Sequence, residues 1–433
     1  MSGTSRTPRG KGAKAGAPGR KRGRGAEARG VATWFSRLED PSLRGAQINY
    51  YVVLGTTLAL AFMGLIMVLS SSSVEAIARN ESAFSDFSKQ SLWALVGVAC
   101  MLGMQQVAPK VLKSLAWPAI IGAIALLILV LAIGTEIYGN KNWIRFGAFS
   151  VQPSEFAKAA LALWGAAIVE RKTKLMGHWK HALVPLLVPV GGLVLLLVLI
   201  GKDLGTALVL GLVLVVVLFV GGAPRKIFVI GAGLAAVGLT AAVLLAPTRL
   251  GRVTAWLFGC AAGPPAAGSQ DYCYQAQQGI YALASGGWFG VGLGQSRQKW
   301  SHIPEAQNDF IFAVLGEELG LLGTLFVIVL YGMLAVAMYR IAVRTGTIFG
   351  RVAIAGIMSW IIGQAFINIG MVIGLLPVIG VPLPFISSGG SALLATFLGI
   401  GVVLSFAREQ RVRLQPAGTP RGIAALLARR RTR

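Results

Sequence analysis

Apolar residues fill this chain in runs of about 20, broken by short gaps that hold nearly all the charge, a length that matches helices spanning a bilayer. The pattern predicts ten spans, at about 50–71, 90–108, 114–133, 155–170, 183–200, 204–221, 227–246, 309–338, 352–375 and 390–407. The expected fold is an all-α polytopic membrane protein with both termini cytoplasmic. Residues 1–48 are polar, basic and rich in Gly and Ala, with no short apolar core. No cleavable signal is therefore expected, and the first span directs insertion.

Composition agrees with this class and narrows the partners. Of 433 residues, 55% are hydrophobic and 13% charged, with a formal net charge of +24. Such a charge invites a nucleic-acid reading, but its distribution argues against one. Eleven Lys and Arg lie in residues 1–48 and eight in 408–433, as basic tails expected to be disordered and to lie against anionic lipid or to dock acidic cytoplasmic proteins. With both ends inside, eleven further cations fall in cytoplasmic gaps and nine outside, which satisfies the positive-inside rule. The domain plan is thus a tail over 1–48, a transmembrane domain over 49–407 whose loop 247–308 faces outward, and a tail over 408–433.

Against this apolar background, acids at the start of the eighth span stand out. Asp309, Glu317 and Glu318 lie in or beside a membrane segment, where an ionisable group is costly unless it is paired or used. A helix from Asp309 to Met338 would be about 45 Å long, longer than the hydrocarbon core, so its start projects outward or the helix tilts. Asn308 and Asp309 suit a helix N-terminus as caps; equally, Asp309 suits a general base, or a ligand to a divalent cation, Mg or Mn, beside a phosphate. On a regular helix Glu317 lies about 80° round and about 12 Å deeper, while Glu318 points away. Glu317 is the acid expected to support Asp309.

Other polar groups cluster at the same expected face. Glu155 and Lys158 share a face of the short fourth span and can pair, either as a structural ion pair or at the wall of a cavity. Trp143, Phe146 and Phe149 suit an aromatic belt, and Arg145 among them either snorkels to headgroups or grips a phosphate. Asp203 and Lys202 sit between the fifth and sixth spans, where they can pair with each other. The glycine-rich Gly286–Gln295 lacks a βαβ setting and is no nucleotide loop; close backbone packing over a ligand or the membrane surface is expected instead. Three prolines in 376–391 forbid a regular helix, and such backbone is tolerated at depth only when it is buried or lines a wet cavity. Ser387 to Ser391 then offer hydroxyls and N–H groups to an anion, or simply cap the last span.

Taken together, Trp143-Ile144-Arg145, Gln152-Pro153-Ser154-Glu155 with Lys158, Asp203-Leu204-Gly205-Thr206, Pro304-Glu305-Ala306 before Asp309-Phe310-Ile311-Phe312-Ala313, Gly316-Glu317-Glu318-Leu319-Gly320 and Pro384-Phe385-Ile386-Ser387-Ser388-Gly389-Gly390-Ser391 resemble the SEDS family (shape, elongation, division and sporulation). Gln298-Lys299-Trp300 with Pro304-Glu305-Ala306 is similar to its division branch more than to its elongation branch, and the basic tails suit an actinobacterial relative. The resemblance implies a peptidoglycan glycosyltransferase that polymerises lipid II at the outer face of the cytoplasmic membrane, concentrated at the septum. Its partners would be undecaprenyl-diphosphate-linked glycan, a class B penicillin-binding protein and other division proteins. The family's catalytic position falls on Asp309, and its motifs place substrate contacts at Arg145, Gln152, Ser154, Glu155, Lys158, Lys299, Glu305, Ser387, Ser388 and Gly389. Gln307-Asn308 replaces the family's usual His-Thr, and Gly201-Lys202 its usual Gln-Pro. A lipid-linked precursor flippase and a non-catalytic division scaffold are the rival classes.

Cys260 and Cys273 lie in the outward loop, facing an oxidising compartment, either bridged or as free thiols; a disulfide there would contribute about 3 kcal/mol in the chain-entropy account. Non-reducing peptide mapping of membrane-extracted protein is expected to recover a 260–273 crosslink, and two alkylatable thiols would dismiss it.

Overall fold

The computed structural model describes residues 43–78, 80–137, 140–147, 149–244, 247–258, 274–297 and 306–414. Most of both tails, Cys260, Cys273, Lys299 and Glu305 lie outside them. In chain order the described residues form α1 (Leu43–Ala78), α2 (Ser85–Met104), α3 (Pro109–Ile133), strands β1 (Thr135–Ile137), β2 (Asn140–Phe146) and β3 (Phe149–Val151), α4 (Pro153–Lys172), α5 (Trp179–Leu186), α6 (Gly192–Ile200), α7 (Leu204–Val220), α8 (Arg225–Leu244), α9 (Pro247–Phe258), α10 (Tyr274–Gly286), α11 (Ile311–Arg344), α12 (Ile348–Val372) and α13 (Gly390–Leu414).

Among the described residues, eight segments are long and apolar enough to cross a membrane: α1, α2, α3, the α5–α6 unit, α8, α11, α12 and α13. The other two expected spans are helices as well. α4 carries Glu155 and Lys158 and α7 has 17 residues, about 25 Å of helix. The fifth span is interrupted, with Val188 at φ −117°, ψ 121°; Pro189 behind it has no N–H to continue a helical ladder.

α4 is buried on nearly every face by α3, α7, α12 and α13, and α13 packs on α2 and α1. Small residues permit this closeness: a Cβ on Gly356 of α12 would stand 3.0 Å from the Ala162 methyl of α4. α8, by contrast, buries only Ile227.

Several features differ from the sequence expectation. β1, β2 and β3 form an antiparallel sheet in that order, which sets Arg145 opposite Ser150. The stretch 247–308 contains α9 and α10. At the ends, α1 begins at Leu43 and α13 runs to Leu414, so Arg408, Arg411 and Arg413 belong to a helix and not to a tail. Gln410 there donates to Ile341 O at 2.8 Å and Thr345 Oγ1 at 2.9 Å, and the Arg411 guanidinium stacks over Tyr50, 4.7 Å from the ring centre. These contacts hold the extra turns against α11 and α1.

The long eighth span is broken at Gly320, where φ is 67° and ψ −166°. A continuous helix would bond the Leu321 and Leu322 N–H groups to the Glu317 and Glu318 carbonyls. Instead those donors reach Gly287 O at 2.9 Å and Trp288 O at 3.2 Å, while the carbonyls accept from Val291 N at 2.9 Å and Gly292 N at 3.1 Å. The glycine-rich segment thus inserts between the halves of α11 and satisfies all four groups. The close packing expected of it is realised against a helix: a Cβ on Gly290 would overlap Glu318 O at 2.1 Å.

At Gly320 a side chain meets both a backbone region open to glycine and contacts of 2.4 Å with Gly290 N and 2.6 Å with Trp288. Gly320→Ala should cost at least about 1–3 kcal/mol and lower the thermal midpoint of the detergent-solubilised protein. Gly332→Ala in the same helix, with nothing within 4 Å, should leave it unchanged or slightly raised.

Candidate functional site

Asp309 lies in the turn 306–310, two residues ahead of α11, and not on the helix as expected. The N-cap position is Phe310, which has no polar side chain. Three successive carbonyls of this turn are drawn sideways. Gln307 O accepts from Ser388 N at 2.9 Å, Asn308 O from Ser387 Oγ at 2.6 Å, and Asp309 O from Asn368 Nδ2 at 2.8 Å. With its carbonyl so engaged, Asp309 does not start the ladder; Ala313 N bonds Phe310 O instead.

The Asp309 carboxylate, half-buried, lies along the irregular segment joining α12 to α13. A Cβ on Gly380 would stand 3.3 Å from Asp309 Oδ2, and Gly380 has φ 78°, so both conformation and space call for glycine there.

That segment is held from all sides. Ser387 is buried; besides donating to Asn308 O, its Oγ accepts from Leu383 N at 2.7 Å. Gln90 of α2 donates to Ser387 O at 3.3 Å and accepts from Gly389 N at 3.2 Å. The Tyr331 hydroxyl of α11 donates to Pro384 O, and Gln364 and Asn368 of α12 hold Pro382 O at 2.9 Å and Val381 O at 2.7 Å. Ser388 and Gly389 therefore contribute their N–H groups to the protein itself.

Glu155 and Lys158 pair at 2.7 Å with both side chains almost wholly buried. The Lys158 ammonium also donates to Gln364 Oε1 at 2.8 Å and lies 5.2 Å from the Trp360 ring centre. With 1% of its surface exposed, Lys158 is an internal cation and not an open contact for a substrate. Glu155 Oε2 and Ser154 Oγ are buried without a hydrogen-bond partner among the described residues. Next to them, Gln152 Nε2 donates to Asp203 Oδ2 at 3.0 Å and its N–H to Ser391 Oγ at 3.1 Å. Asp203 caps α7, accepting from Thr206 N at 2.9 Å and Thr206 Oγ1 at 2.7 Å. It ties two helix starts together through Gln152, not through Lys202. Arg145 is exposed on β2.

Glu317 and Glu318 are both buried. Glu317 accepts from the Ser296 hydroxyl and from Arg297 N at 3.1 Å; Glu318 accepts from Ser70 Oγ at 2.5 Å and Ser296 N at 3.4 Å. Glu317, on the unbroken first part of α11, anchors the inserted segment, and Glu318 anchors both that segment and α1. Gln90, Gln364, Asn368 and Tyr331 were not singled out in the sequence. Their signal was polar side chains in apolar spans, with Gln364 and Asn368 one turn apart.

The family model for FtsW, RodA and SpoVE, described as cell cycle protein, matches residues 51–412. This chain belongs to that family. The probable peptidoglycan glycosyltransferase FtsW of Mycobacterium tuberculosis is 40% identical over 386 residues, 88% of this chain and 70% of the relative. Stage V sporulation protein E of Bacillus subtilis is 38% identical over 362 residues, 82% of this chain and 96% of the relative. Among solved structures, a chain from a peptidoglycan synthase complex, described for its coordination of polymerization and crosslinking, superposes with TM-score 0.69 at 28% identity, over 83% of this chain and 98% of that one. The rod shape determining protein RodA of Thermus thermophilus gives 0.60 at 27%, over 83% and 96%. As a family member with eight long apolar helices, the chain is a multi-pass membrane protein.

Removing one member of a buried pair leaves the other charge uncompensated, at about 3–5 kcal/mol. Lys158→Met should lower stability in a detergent unfolding assay by that amount, whereas Glu155→Leu with Lys158→Met should recover much of it.

Proposed function

We propose that this protein polymerises lipid II into glycan strands at the outer face of the cytoplasmic membrane during septal wall synthesis, with Asp309 as general base. The chain is a peptidoglycan glycosyltransferase, as its FtsW relatives are named. One observation carries the assignment of the base. In a family member built largely of apolar helices, the Asp309 carboxylate lies half-buried outside the helical ladder, on a turn fixed by its backbone. The peptide that carries the carboxylate is held in place by Asn368 and Ser387.

The reaction follows from those constraints. Asp309 accepts the proton of the acceptor 4-hydroxyl as its oxygen forms a bond to the anomeric carbon of the lipid-linked glycan. The bond from that carbon to the diphosphate oxygen breaks, and its electron pair leaves with undecaprenyl diphosphate. Direct attack inverts α to β and needs no carboxylate nucleophile. Arg145, exposed on β2, is the cation assigned to the diphosphate, since Lys158 is committed internally.

A divalent cation, Mg or Mn, belongs to the same proposal. No group of three His, Cys, Asp or Glu stands together among the described residues, so the protein would contribute Asp309 and the substrate diphosphate the remaining oxygens. Bound there, it would supply charge neutralisation to the leaving group. The partner is a class B penicillin-binding protein that crosslinks the product, in keeping with the structural relative described for polymerization and crosslinking. Location at the septum and association with other division proteins belong to the same proposal, which the likeness to FtsW relatives supports.

Polymerisation of lipid II by the purified protein with its cognate partner is the test. Asp309→Asn should lower the rate by about 10²–10⁴-fold with folding and complex formation intact. Retained polymerisation would return Asp309 to a structural role.

A further inference from the structure

α12 presents two amides one turn apart, Gln364 and Asn368, both buried. They bond to consecutive carbonyls of the irregular segment, Pro382 and Val381. Asn368 does more. Its single Nδ2 donates to Val381 O at 2.7 Å and also to Asp309 O at 2.8 Å, one N–H for each of two non-helical strands of backbone.

The chemistry restricts what can do this. Two donors on one neutral nitrogen are an amide property; a hydroxyl has one donor and a Lys would bring a charge. The orientation of the neighbouring amide is also fixed. Gln364 Oε1 accepts from Lys158 Nζ at 2.8 Å and from Trp360 Nε1 at 3.0 Å, which forces its NH₂ toward Pro382 O. The Glu155–Lys158 pair is thereby joined through Gln364 to the segment that Asn368 clamps against the Asp309 turn.

We propose that Asn368 is a positioning residue for Asp309. By holding one carbonyl from each strand on a single nitrogen, it sets the separation between the turn that carries the carboxylate and the backbone around Gly380 that the carboxylate faces. Gln364, locked by Lys158 and Trp360, keeps that backbone in register. Asn368 acts only through Asp309, so this inference rests on Asp309 being the base.

The test is a double-mutant cycle on the full chain in complex with its class B partner, with lipid II as substrate. Asn368→Leu keeps the branching at Cγ and removes both donors. It should lower kcat by about 10²-fold, the scale of a displacement near 1 Å, with KM within about twofold and elution of the complex as wild type, while the thermal midpoint falls because two buried carbonyls lose their donor. In an Asp309→Asn background, followed by single turnover over long incubation, the same substitution should cause no further loss. A folded Asn368→Leu complex with wild-type kcat, or an equal loss in the Asp309→Asn background, overturns the proposal. If Asn368→Leu does not fold, Asn368→Ser, which keeps one donor, enters the same cycle with an expected loss of about tenfold and the same overturning outcomes. Full activity of Asp309→Asn would sink the base assignment and Asn368 with it; failure of the Asn368 arm alone leaves the base assignment standing.

Discussion

Backbone between spanning helices that does not form a helix must find every hydrogen bond inside the protein, because a bilayer supplies none. The segment from Val381 to Gly389 lives under that constraint, and the site around Asp309 is built by the groups that satisfy it. Gln90 from α2, Tyr331 from α11 and Gln364 and Asn368 from α12 each bond one or more of its backbone groups. Ser387 and Ser388, from within it, reach back to the turn that carries Asp309. An irregular stretch whose backbone groups are so fully satisfied has few alternative arrangements, and it forms the wall along which the Asp309 carboxylate lies.

The break in α11 obeys the same rule at a second place. Interrupting the ladder at Gly320 frees two donors and two acceptors, and Gly287 to Gly292 satisfy all four. Glu317 and Glu318 then add the Ser296–Arg297 backbone and Ser70 of α1 to the joint. The helix that leads to Asp309 is thus tied to α1 and to the segment after α10.

Buried charge is used sparingly. The Glu155–Lys158 pair is internal, and its ammonium spends a further donor on Gln364. A buried ion pair is weak evidence for stability but can specify one arrangement; here it fixes which way an amide faces. Asp203 acts likewise, capping α7 while accepting from Gln152 at the start of α4.

The sequence alone determined the class, the approximate position of the apolar helices and the family, because runs of about 20 apolar residues admit one solution in a bilayer and because several motifs recur in order. Glu155 and Lys158 were legible as a pair from helical spacing, and Asp309 as an acid that needed a reason. Tertiary structure decided the rest. Nothing local distinguishes Gly320 from helix-interior glycines such as Gly332; the break exists because a segment from 30 residues earlier supplies its hydrogen bonds. The contacts of Glu317 and Glu318 with Ser296, Arg297 and Ser70, and the donation of Lys158 to Gln364, all depend on partners distant in the chain. So does Asn368, whose two carbonyls come from segments that meet only after the bundle has packed, and periodicity along one helix holds no record of that meeting.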